Sequence, residues 1–500
     1  MQMFINGRFS GGQAKETIQV INPATEEILD EVPRGTAADA NAAVAAARDA
    51  FPGWKRTPAW ERAGILHEAA EKIKAQEEAL ARLLTEEEGK PYVENEEEIF
   101  WTYDTHHYYA ELGRHERGRF LPPGDPDQIN FVIKEPYGVV ACITPWNYPL
   151  LLLAWKLAPA LAAGNTVVIK PSEYTPLSTL RLIEIAFDHL PPGVVNVITG
   201  YGPEVGEPLV VHPNVPLIAF TSSVETGQRI ASLAAPMMKK VRLELGGKDP
   251  FVLAPDIVET VGLDTAVSAV AYAGLINAGQ VCTSSERIYV HESHFGRFST
   301  VGEAKETFTP ALAEAAADRV VGHGLEGGVQ MGPVISPNSR ERISGLIEMG
   351  TQEGASLLLD GRSPDLPGLE KGAFLRPTIL ENVHPDSELA GTEIFGPVMG
   401  LMHAESLDEA LAWVNSGRYG NMACIFTSDG GAARRFRYEA QAGNIGINIG
   451  VAAPMAFFPF SGWKDSFFGT LHAQSGHSVE FYTQTKVVVE RWLEDWSRQF

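Results

Sequence analysis

The first part of the chain combines short strands with longer helical stretches. Residues 1–30 contain two turn signals, Asn-Gly in MFINGRF and Asn-Pro in VINPATEEIL, which predict short paired strands. The alanine-rich residues 36–50 predict a helix, and further helices are predicted from about Trp60 and from about Pro91. We interpret the glutamate runs of these helices as solvated faces, and residues 114–128 as an irregular connection.

From residue 137 onward, apolar runs of strand length alternate with helical stretches. YGVVACI, TVVIK, VVNVITG, PLIAFTSS and VRLELGG predict buried strands, and a second series continues with FVLA, ERIYV, MACIFTS and GNIGIN. Helices are predicted between them, among others over residues 258–276 and near residue 310. This alternation is typical of an α/β fold with mainly parallel sheets. The alternating apolar and polar residues 479–493 predict an edge strand.

Size and composition then narrow the class of protein. Five hundred residues predict two or three domains, and 44% apolar with 21% charged residues is typical of a soluble globular protein. A net charge of −23 argues against nucleic acid or an anionic membrane surface as a partner. There is neither a signal-peptide pattern nor an apolar run of about 18 residues. Three cysteines allow neither a disulfide framework nor a structural metal site, which favours the cytoplasm.

One of the three cysteines lies in an unusual setting. Cys142 in VVACI and Cys424 in MACIF are expected to be small buried hydrophobic residues of strands. Cys282, in GLINAGQVCTSSE, follows a glycine-containing break after a helical run and precedes three hydroxyl residues. A thiol at such a bend can meet backbone N–H groups that point at a reacting oxygen. Cys282 is therefore the candidate nucleophile.

Two strand ends offer the other groups that acyl chemistry on a thiol requires. TPWNYPL follows the strand YGVVACI, so Asn147 is a candidate oxyanion donor, although a turn-forming Asn explains it equally well. VRLELGGK ends with Glu244 between leucines, where burial would raise the pKa of the carboxyl group toward that of a general base. By itself, Glu244 is better explained as an outward-facing or already paired side chain than as a base.

The chain carries two competing nucleotide-binding signals. GYGPEVG follows a strand, but its third glycine comes one position too late for the dinucleotide fingerprint. In FTSSVETG a helix starts with hydroxyl residues, where Ser223 and neighbouring amides can receive a pyrophosphate. Lys170 and Glu173 of VVIKPSE are suited to ribose hydroxyls. Because a carboxylate there would repel the extra phosphate of NADP, NAD is predicted, with NADP as the alternative.

Six motifs together carry a resemblance to a known family. TPWNYPL, GNTVVIKPSE, FTSS, LELGGK, GQVC and EIFGP occur in the order and at roughly the spacing seen in the aldehyde dehydrogenase superfamily, from about Phe4 to about Trp492. The resemblance implies a Rossmann-like NAD-binding domain, an α/β catalytic domain and a small β oligomerisation arm. The NAD-binding domain would comprise residues 1–115 and 137–246, and the catalytic domain residues 247–478. The arm would comprise residues 116–136 and 479–493.

The resemblance also implies roles for individual residues. Cys282 would be the nucleophile, Asn147 and the Cys282 backbone N–H the oxyanion hole, and Glu244 the base that activates water for thioester hydrolysis. The implied cofactor contacts are Lys170 and Glu173 at the adenosine ribose, Ser223 at the pyrophosphate, Gly202 of the GYG segment near adenine, Glu393 at the nicotinamide ribose with Phe395 beside it, and Thr144, Trp146 and Leu245. Tyr148 and Trp155 resemble positions near the pocket. No metal site is implied.

The C-terminal part resembles one branch of the family. GINIGVAAPMAFFPFSGWKDSFFGTLHAQ, together with GHGLEGGVQMGPVIS, is similar to methylmalonate semialdehyde dehydrogenases, which release acyl groups to coenzyme A. That branch lacks the glutamate that this chain has as Glu244. We therefore predict NAD-dependent oxidation of a small aldehyde to the free acid, with coenzyme A acylation as the alternative. A non-catalytic member of the fold and a reductase acting on activated acids are weaker alternatives.

The sequence leaves several properties open. Neither the aldehyde nor the acceptor of the acyl group can be derived from the motifs, and Arg287, which precedes a strand, is equally consistent with a structural role. The alternating C-terminal strand predicts a homodimer or homotetramer without choosing between them.

Overall fold

A computed structural model describes most of the chain. The described residues are 1–115, 118–257, 261–291, 308–452 and 455–491. The beginning of the helix predicted over 258–276 (residues 258–260) and the end of the strand predicted over 479–493 (residues 492–493) lie outside these ranges, as do residues 116–117 of the predicted arm and the last residue of the motif match, Trp492.

Strands and helices alternate along the described chain. The strands are β1 Met3–Ile5, β2 Arg8–Ser10, β3 Thr17–Ile21, β4 Ile28–Pro33, β5 Gly118–Leu121, β6 Gln128–Pro136, β7 Val139–Ile143, β8 Thr166–Lys170, β9 Val195–Val197, β10 Leu217–Thr221, β11 Lys240–Glu244, β12 Asp249–Leu253, β13 Ser285–His291, β14 Ser356–Leu359, β15 Thr378–Glu381, β16 Val398–Ala404, β17 Tyr419–Gly420, β18 Met422–Phe426, β19 Asn444–Ile447, β20 Trp463–Lys464, β21 Phe467–Phe468 and β22 Thr483–Arg491. The helices are α1 Ala37–Arg56, α2 Ala59–Lys74, α3 Glu77–Glu88, α4 Tyr92–His115, α5 Pro149–Ala163, α6 Pro176–Ala186, α7 Glu207–Val210, α8 Val224–Ala234, α9 Leu263–Leu275, α10 Phe308–Ala317, α11 Pro337–Gln352, α12 Glu388–Gly391, α13 Leu407–Ser416, α14 Gly430–Glu439 and α15 Ser475–Phe481.

Two large sheets organise the molecule. The first has the order β2-β1-β9-β8-β7-β10-β11-β21, and its five central strands are parallel. The second has the order β14-β15-β16-β13-β12-β18-β19 and is parallel except for β14. The α/β class predicted from the alternating pattern is confirmed. Cys142 in β7 and Cys424 in β18 are buried in these sheets, as the sequence predicts.

A third, three-stranded sheet has the order β22-β6-β5. β22 pairs antiparallel with β6 over nine residues and forms one edge of this sheet, as the alternating pattern predicts. The prediction is wrong for residues 479–481, which end helix α15, because Val479 and Phe481 turn into the core on the helix. The predicted connection 114–128 is also partly wrong, since it contains the strand β5.

The N-terminal helices differ from the prediction in number and length. Two helices were expected between Trp60 and residue 115, whereas the chain forms three, α2, α3 and α4. The breaks come at Gln76, which leaves helical geometry, and at Gly89, whose φ of 93° ends α3 in the left-handed region. Among the helices in the described ranges, none has the length and apolar composition needed to cross a membrane.

The glutamate-rich runs of α3 and α4 are not uniformly solvated faces. Glu87, Glu88 and Glu98 are fully buried, contrary to the sequence-based interpretation. Their carboxylates are buried because they hold the starts of two other helices and the ammonium group of Lys90.

Candidate active site

Cys282 lies in a turn that the chain reaches through an unusual backbone bend. Helix α9 ends at Leu275, and the next turn holds Asn277 and Ala278 at φ values of 48° and 52°, in the left-handed region. Gly279 follows at φ 72°, and a Cβ atom there would lie 2.0 Å from the Gly396 carbonyl oxygen. Three consecutive residues of positive φ turn the chain so that Cys282 precedes β13 with its side chain only partly buried.

Asn147 is held against the same bend. It follows β7, and its Nδ2 donates a hydrogen bond of 2.9 Å to the Gln280 carbonyl oxygen. In return, Asn277 Nδ2 donates to the Asn147 carbonyl oxygen at 3.0 Å. These bonds tie the segment after β7 to the segment before Cys282, so the Asn147 amide keeps a fixed position next to the thiol loop.

Glu244 ends strand β11 and is 4% exposed. Its Oε1 accepts a hydrogen bond of 2.9 Å from the Ala473 backbone N–H. Burial raises the pKa of Glu244 to about 7, although the positive charges of Arg242 and Lys156 act in the opposite direction. A carboxyl group with this pKa can both take up and release a proton near neutral pH.

The two glycines after Glu244 let β11 and the thiol loop approach each other. A Cβ atom on Gly247 would lie 2.1 Å from the Cys282 carbonyl oxygen. A Cβ atom on Gly246 would lie 2.3 Å from a carboxylate oxygen of Glu393. The contact at Gly247 is with backbone, so only glycine there lets the strand end and the thiol loop approach this closely.

The environment of Cys282 favours the neutral thiol over the thiolate. Burial raises the pKa of Cys282 well above its usual range, and the nearby carboxyl groups of Asp249, Glu393 and Glu244 raise it further. Since the thiolate is the reactive form, the thiol must transfer its proton to a base during attack.

Asn147, Cys282 and Glu393 border one crevice with a volume of about 550 Å³. Seven of the predicted site residues line it: Trp146, Asn147, Ser223, Leu245, Cys282, Glu393 and Phe395. The rings of Trp146 and Phe395 meet edge to face, with their centroids 5.4 Å apart. Glu244 adjoins this lining through Leu245, the next residue in the chain.

The crevice has the chemical groups that a dinucleotide needs. Ser223 caps helix α8 by accepting a hydrogen bond from the Thr226 N–H, so the positive end of this helix faces the crevice. Gly227 brings that helix close to the strand end, since a Cβ atom there would lie 2.5 Å from Leu245. Glu393 adds a carboxylate for hydroxyl groups. The residues present therefore fit a bound dinucleotide.

Four predicted cofactor residues do not line this crevice: Thr144, Lys170, Glu173 and Gly202. The Thr144 backbone N–H donates to the Lys170 carbonyl oxygen at 3.1 Å, and the buried Thr144 hydroxyl has no hydrogen-bond partner among the described residues. Lys170 Nζ pairs with Glu173 at 3.3 Å, and Glu173 lines a separate cavity of about 200 Å³. Gly202 is exposed at the start of a single helical turn, Gly202–Gly206.

Sequence analysis missed a buried charged cluster behind Asn147. Lys90 Nζ lies 3.3 Å from Glu88, pairs with Glu98, and donates to the Asn147 carbonyl oxygen at 3.3 Å. Asn277 Nδ2 donates to Glu88 at 3.0 Å. This cluster fixes both the oxyanion-donor segment and the thiol bend. A buried lysine among glutamates in EEEGKPYVENEEE was the available signal.

A second missed pair fixes the EIFGP segment. Glu286 accepts hydrogen bonds from the backbone N–H groups of Ile394 and Phe395, both at 2.8 Å, and pairs with Lys248 Nζ at 2.7 Å. Phe395, at φ 54°, is thereby held in a left-handed conformation. Arg287 donates from Nε to the Lys248 carbonyl oxygen at 2.8 Å and is buried, so its role is structural.

Comparisons with known proteins match the chain to aldehyde dehydrogenases over nearly its whole length. The model of the aldehyde dehydrogenase family matches residues 9–488. Malonate-semialdehyde dehydrogenase 1 of Geobacillus kaustophilus is 38% identical over 493 residues, which are 98% of each chain. Methylmalonate-semialdehyde dehydrogenase [acylating], mitochondrial, of Arabidopsis thaliana is 37% identical over 98% of this chain and 78% of its own.

Solved structures show the same architecture. A putative aldehyde dehydrogenase from Burkholderia cenocepacia superposes with a TM-score of 0.92 at 36% identity, covering 98% of this chain and 97% of its own. Betaine aldehyde dehydrogenase from Staphylococcus aureus in complex with NAD+ superposes with a TM-score of 0.92 at 34% identity, covering 100% of this chain and 97% of its own.

Proposed function

The chain belongs to the aldehyde dehydrogenase family, and on this premise we propose that it oxidises an aldehyde to the carboxylic acid with NAD, through a thioester on Cys282. One observation carries the assignment of residues. A thiol and a side-chain amide line the crevice whose lining suits a dinucleotide, and a carboxyl group with a pKa of about 7 adjoins that lining through Leu245. Acyl transfer through a thiol needs these three groups.

Attack on the aldehyde begins at Cys282 Sγ, which forms a bond to the carbonyl carbon. The thiol proton leaves to solvent as this bond forms, because the thiolate is the attacking species. The negative charge that develops on the aldehyde oxygen is held by Asn147 Nδ2 and the Cys282 backbone N–H. A bound NAD would supply the acceptor for a hydride from the carbon attached to sulfur, and loss of that hydride would leave a thioester on Cys282.

Hydrolysis then releases the acid. Glu244 takes a proton from a water molecule as that water attacks the thioester carbon, and the carbon–sulfur bond breaks to free Cys282. The hydrogen bond from the Ala473 N–H to Oε1 holds the carboxyl group at the end of β11, next to the thiol loop. The second carboxylate oxygen, Oε2, is buried and has no hydrogen-bond partner among the described residues, which leaves it available for this water.

The cofactor contacts belong to the same proposal. The pyrophosphate would be held by Ser223 and the start of α8. The nicotinamide ribose would be held by Glu393, and the nicotinamide ring would lie between Trp146 and Phe395. Leu245 would lie against the cofactor, and Lys170 and Glu173 would hold the adenosine ribose, with Gly202 nearer to adenine and Thr144 behind them. A carboxylate at the ribose supports NAD over NADP.

Water and coenzyme A compete as acceptors of the acyl group. Relatives of the malonate and methylmalonate semialdehyde branch, one of them named acylating, favour transfer to a thiol. Glu244 favours hydrolysis, because it supplies a base that coenzyme A transfer does not need. We propose the free acid as product.

Two measurements test this function. The Cys282→Ala variant should lose NADH formation with every aldehyde, whereas Cys424→Ala, which removes a buried thiol outside the crevice, should keep it. NADH formation by Cys282→Ala would refute the nucleophile assignment.

The acceptor of the acyl group is tested by adding coenzyme A, which should neither speed steady-state NADH formation nor yield an acyl-coenzyme A product. If that product accumulates, the acylating alternative is correct.

Three coarser assignments complete the proposal. We divide the chain into an NAD-binding domain (1–115 and 137–246), a catalytic domain (247–478) and an arm (116–136 and 479–493). The exposed edge strand β22 supports a homodimer or homotetramer built through this arm. A content of three cysteines in 500 residues supports a reducing compartment, and we place the enzyme in the cytoplasm.

A further inference from the structure

A buried arginine lies two residues before Glu244 on the same strand. Arg242 is 1% exposed, and in β11 it is paired with Ala219 of β10, as Glu244 is paired with Thr221. Because side chains alternate between the two faces of a strand, Arg242 and Glu244 project from the same face, about 7 Å apart along the backbone. A cation and the proposed base are therefore neighbours on one side of the sheet.

The hydrogen bonds of Arg242 go to neutral oxygen atoms. One guanidinium nitrogen, Nη1, donates to Ser478 Oγ at 2.9 Å and to the His472 carbonyl oxygen at 3.3 Å. The other, Nη2, donates to the Tyr482 hydroxyl at 3.2 Å and to the Trp155 carbonyl oxygen at 3.4 Å. Among the described residues no carboxylate lies within ion-pair distance of Arg242. Since a guanidinium keeps its proton even when it is buried, the positive charge stays there without a direct carboxylate partner in this part of the chain.

Most of these partners lie in the segment of the chain that holds Glu244. Three of the four, and also the Ala473 N–H that donates to Glu244 Oε1 at 2.9 Å, belong to residues 472–482, which we call the docking segment. The Arg242 guanidinium also lies over the Phe481 ring, with its Cζ 4.6 Å from the ring centroid. Arg242 thus attaches the docking segment both before and after Ala473, whose N–H holds the carboxyl group.

The charge of Arg242 also acts on Glu244 directly. Burial raises the pKa of Glu244, and the charge of Arg242 is the largest influence in the opposite direction, ahead of the Ala473 N–H and of Lys156. Burial, and after it the charge of Arg242, lowers the pKa of Lys156 to about 7, so Lys156 loses its charge over the pH range in which Glu244 titrates. Arg242 keeps its charge over that range and is the constant cation beside the carboxylate.

The other titratable groups around Arg242 and Glu244 do not replace this charge. Burial shifts the pKa of five side chains toward the neutral form: Tyr109, Cys142, Cys282, His472 and Tyr482. Lys240 is a cation, but it lies at the other end of β11 and is only partly buried.

We propose that Arg242 is a positioning residue for Glu244: its guanidinium fixes the docking segment that donates to the carboxyl group, and its buried charge stabilises the carboxylate. The proposal rests on the proposed function, because it concerns the base that activates water for hydrolysis. Arg242 does not line the crevice, so it acts on the reaction through Glu244. Loss of Arg242 should therefore slow hydrolysis of the thioester and spare its formation.

The test measures both phases of NADH formation with the full chain. Removing a cation raises the pKa of a neighbouring carboxyl group, so Arg242→Gln should move the midpoint of the steady-state pH profile upward by about one unit. The steady-state rate at pH 7 should fall about fivefold or more, and a burst of about one NADH per site should remain. Arg435→Gln, which changes an exposed arginine outside the crevice lining, is the matched control and should alter neither phase. An unmoved midpoint, or loss of the burst, in Arg242→Gln would overturn the proposal.

A double variant separates action through Glu244 from a general loss of structure. In the Glu244→Gln background, Arg242→Gln should lower the remaining steady-state rate less than about twofold, because the group through which it acts is already gone. An undiminished fivefold loss in that background would overturn the proposal and leave the proposed function intact. Absence of NADH from the unchanged chain with every aldehyde would overturn both.

A second variant decides the question if Arg242→Gln does not fold. Tyr482→Phe leaves the charge of Arg242 in place and removes one hydrogen-bond acceptor of its guanidinium in the docking segment. It should keep the burst and lower the steady-state rate about threefold. An unchanged steady-state rate, or an equal loss in both phases, would overturn the proposal.

Discussion

At the residue scale, Glu244 combines the burial of a core residue with the chemistry of a base. Leucines on both sides and the fold around β11 remove it from water, which raises its pKa to about 7. The Ala473 N–H opposes this shift by stabilising the charged form. The result is a carboxyl group that is partly ionised at neutral pH, as water activation requires.

The pH dependence of turnover should report this group. Because only ionised Glu244 can accept a proton and its pKa is raised to about 7, steady-state NADH formation should fall as pH decreases from 8 to 6. Glu244→Gln should keep a burst of about one NADH per site and lose about 100-fold or more in the steady-state rate. Stopped-flow absorbance measures both phases.

The control for this experiment is Glu225→Gln, an exposed carboxylate that lines the same crevice. It should retain the wild-type pH profile. If Glu244→Gln turns over steadily at the wild-type rate, another group activates the water.

At the element scale, the starts of α5 and α6 depend on carboxylates from distant helices. Both helices begin with proline, and neither Tyr148 nor Thr175 caps the helix with its side chain. Glu98 accepts hydrogen bonds from the N–H groups of Leu150 and Leu151, at 2.9 and 3.1 Å. Glu87 does the same for α6. A negative charge at the start of a helix satisfies free N–H groups and interacts favourably with the helix dipole.

Removing the carboxylate of Glu98 should therefore weaken the fold at the site. Glu98→Ala leaves two buried N–H groups unsatisfied and takes one partner from Lys90, so the thermal midpoint should fall by about 4–10 °C. Activity should fall as well, because Lys90 and Asn147 lose their support. Differential scanning calorimetry provides the measurement. Glu97→Ala, an exposed neighbour on the same helix, should shift the midpoint by less than about 2 °C.

At the scale of the whole molecule, the three-stranded sheet has an exposed edge strand with apolar side chains. β22 is an edge strand, and Val487 and Val489 on it are 66% and 60% exposed. An exposed apolar edge strand is a template for pairing with another chain. The arm thus supports an assembly rather than a monomer, independently of the crevice.

Charge placed on this edge should reduce assembly. Val487→Lys adds a cation where apolar contact is expected, so light scattering after size exclusion should show a smaller species than for the wild-type chain. Val93→Lys makes the same change at a position that is 60% exposed on helix α4, and it should leave the size unchanged. An unaltered size for Val487→Lys would place the interface elsewhere.

The sequence by itself determined the α/β class and predicted Cys282, Asn147 and Glu244 as the centre of the proposed site. Buried strands and turns leave local patterns, and parallel strands bring their carboxyl ends to one edge, so Asn147 and Glu244 could be linked to Cys282 before any contact was known. The family motifs added the cofactor residues.

Only the tertiary structure decided how these groups are held and what they face. Glu98 meets Leu150 across 52 residues, Glu87 meets Ser178 across 91, and Glu286 meets Ile394 across 108. Contacts over such separations leave no periodic signal, so glutamates that support the site look like a solvated helix face in the sequence. The apolar cluster beside Cys282 likewise joins side chains from distant parts of the chain, namely Trp101, Leu152, Val281 and Phe460, and only packing determines that they meet.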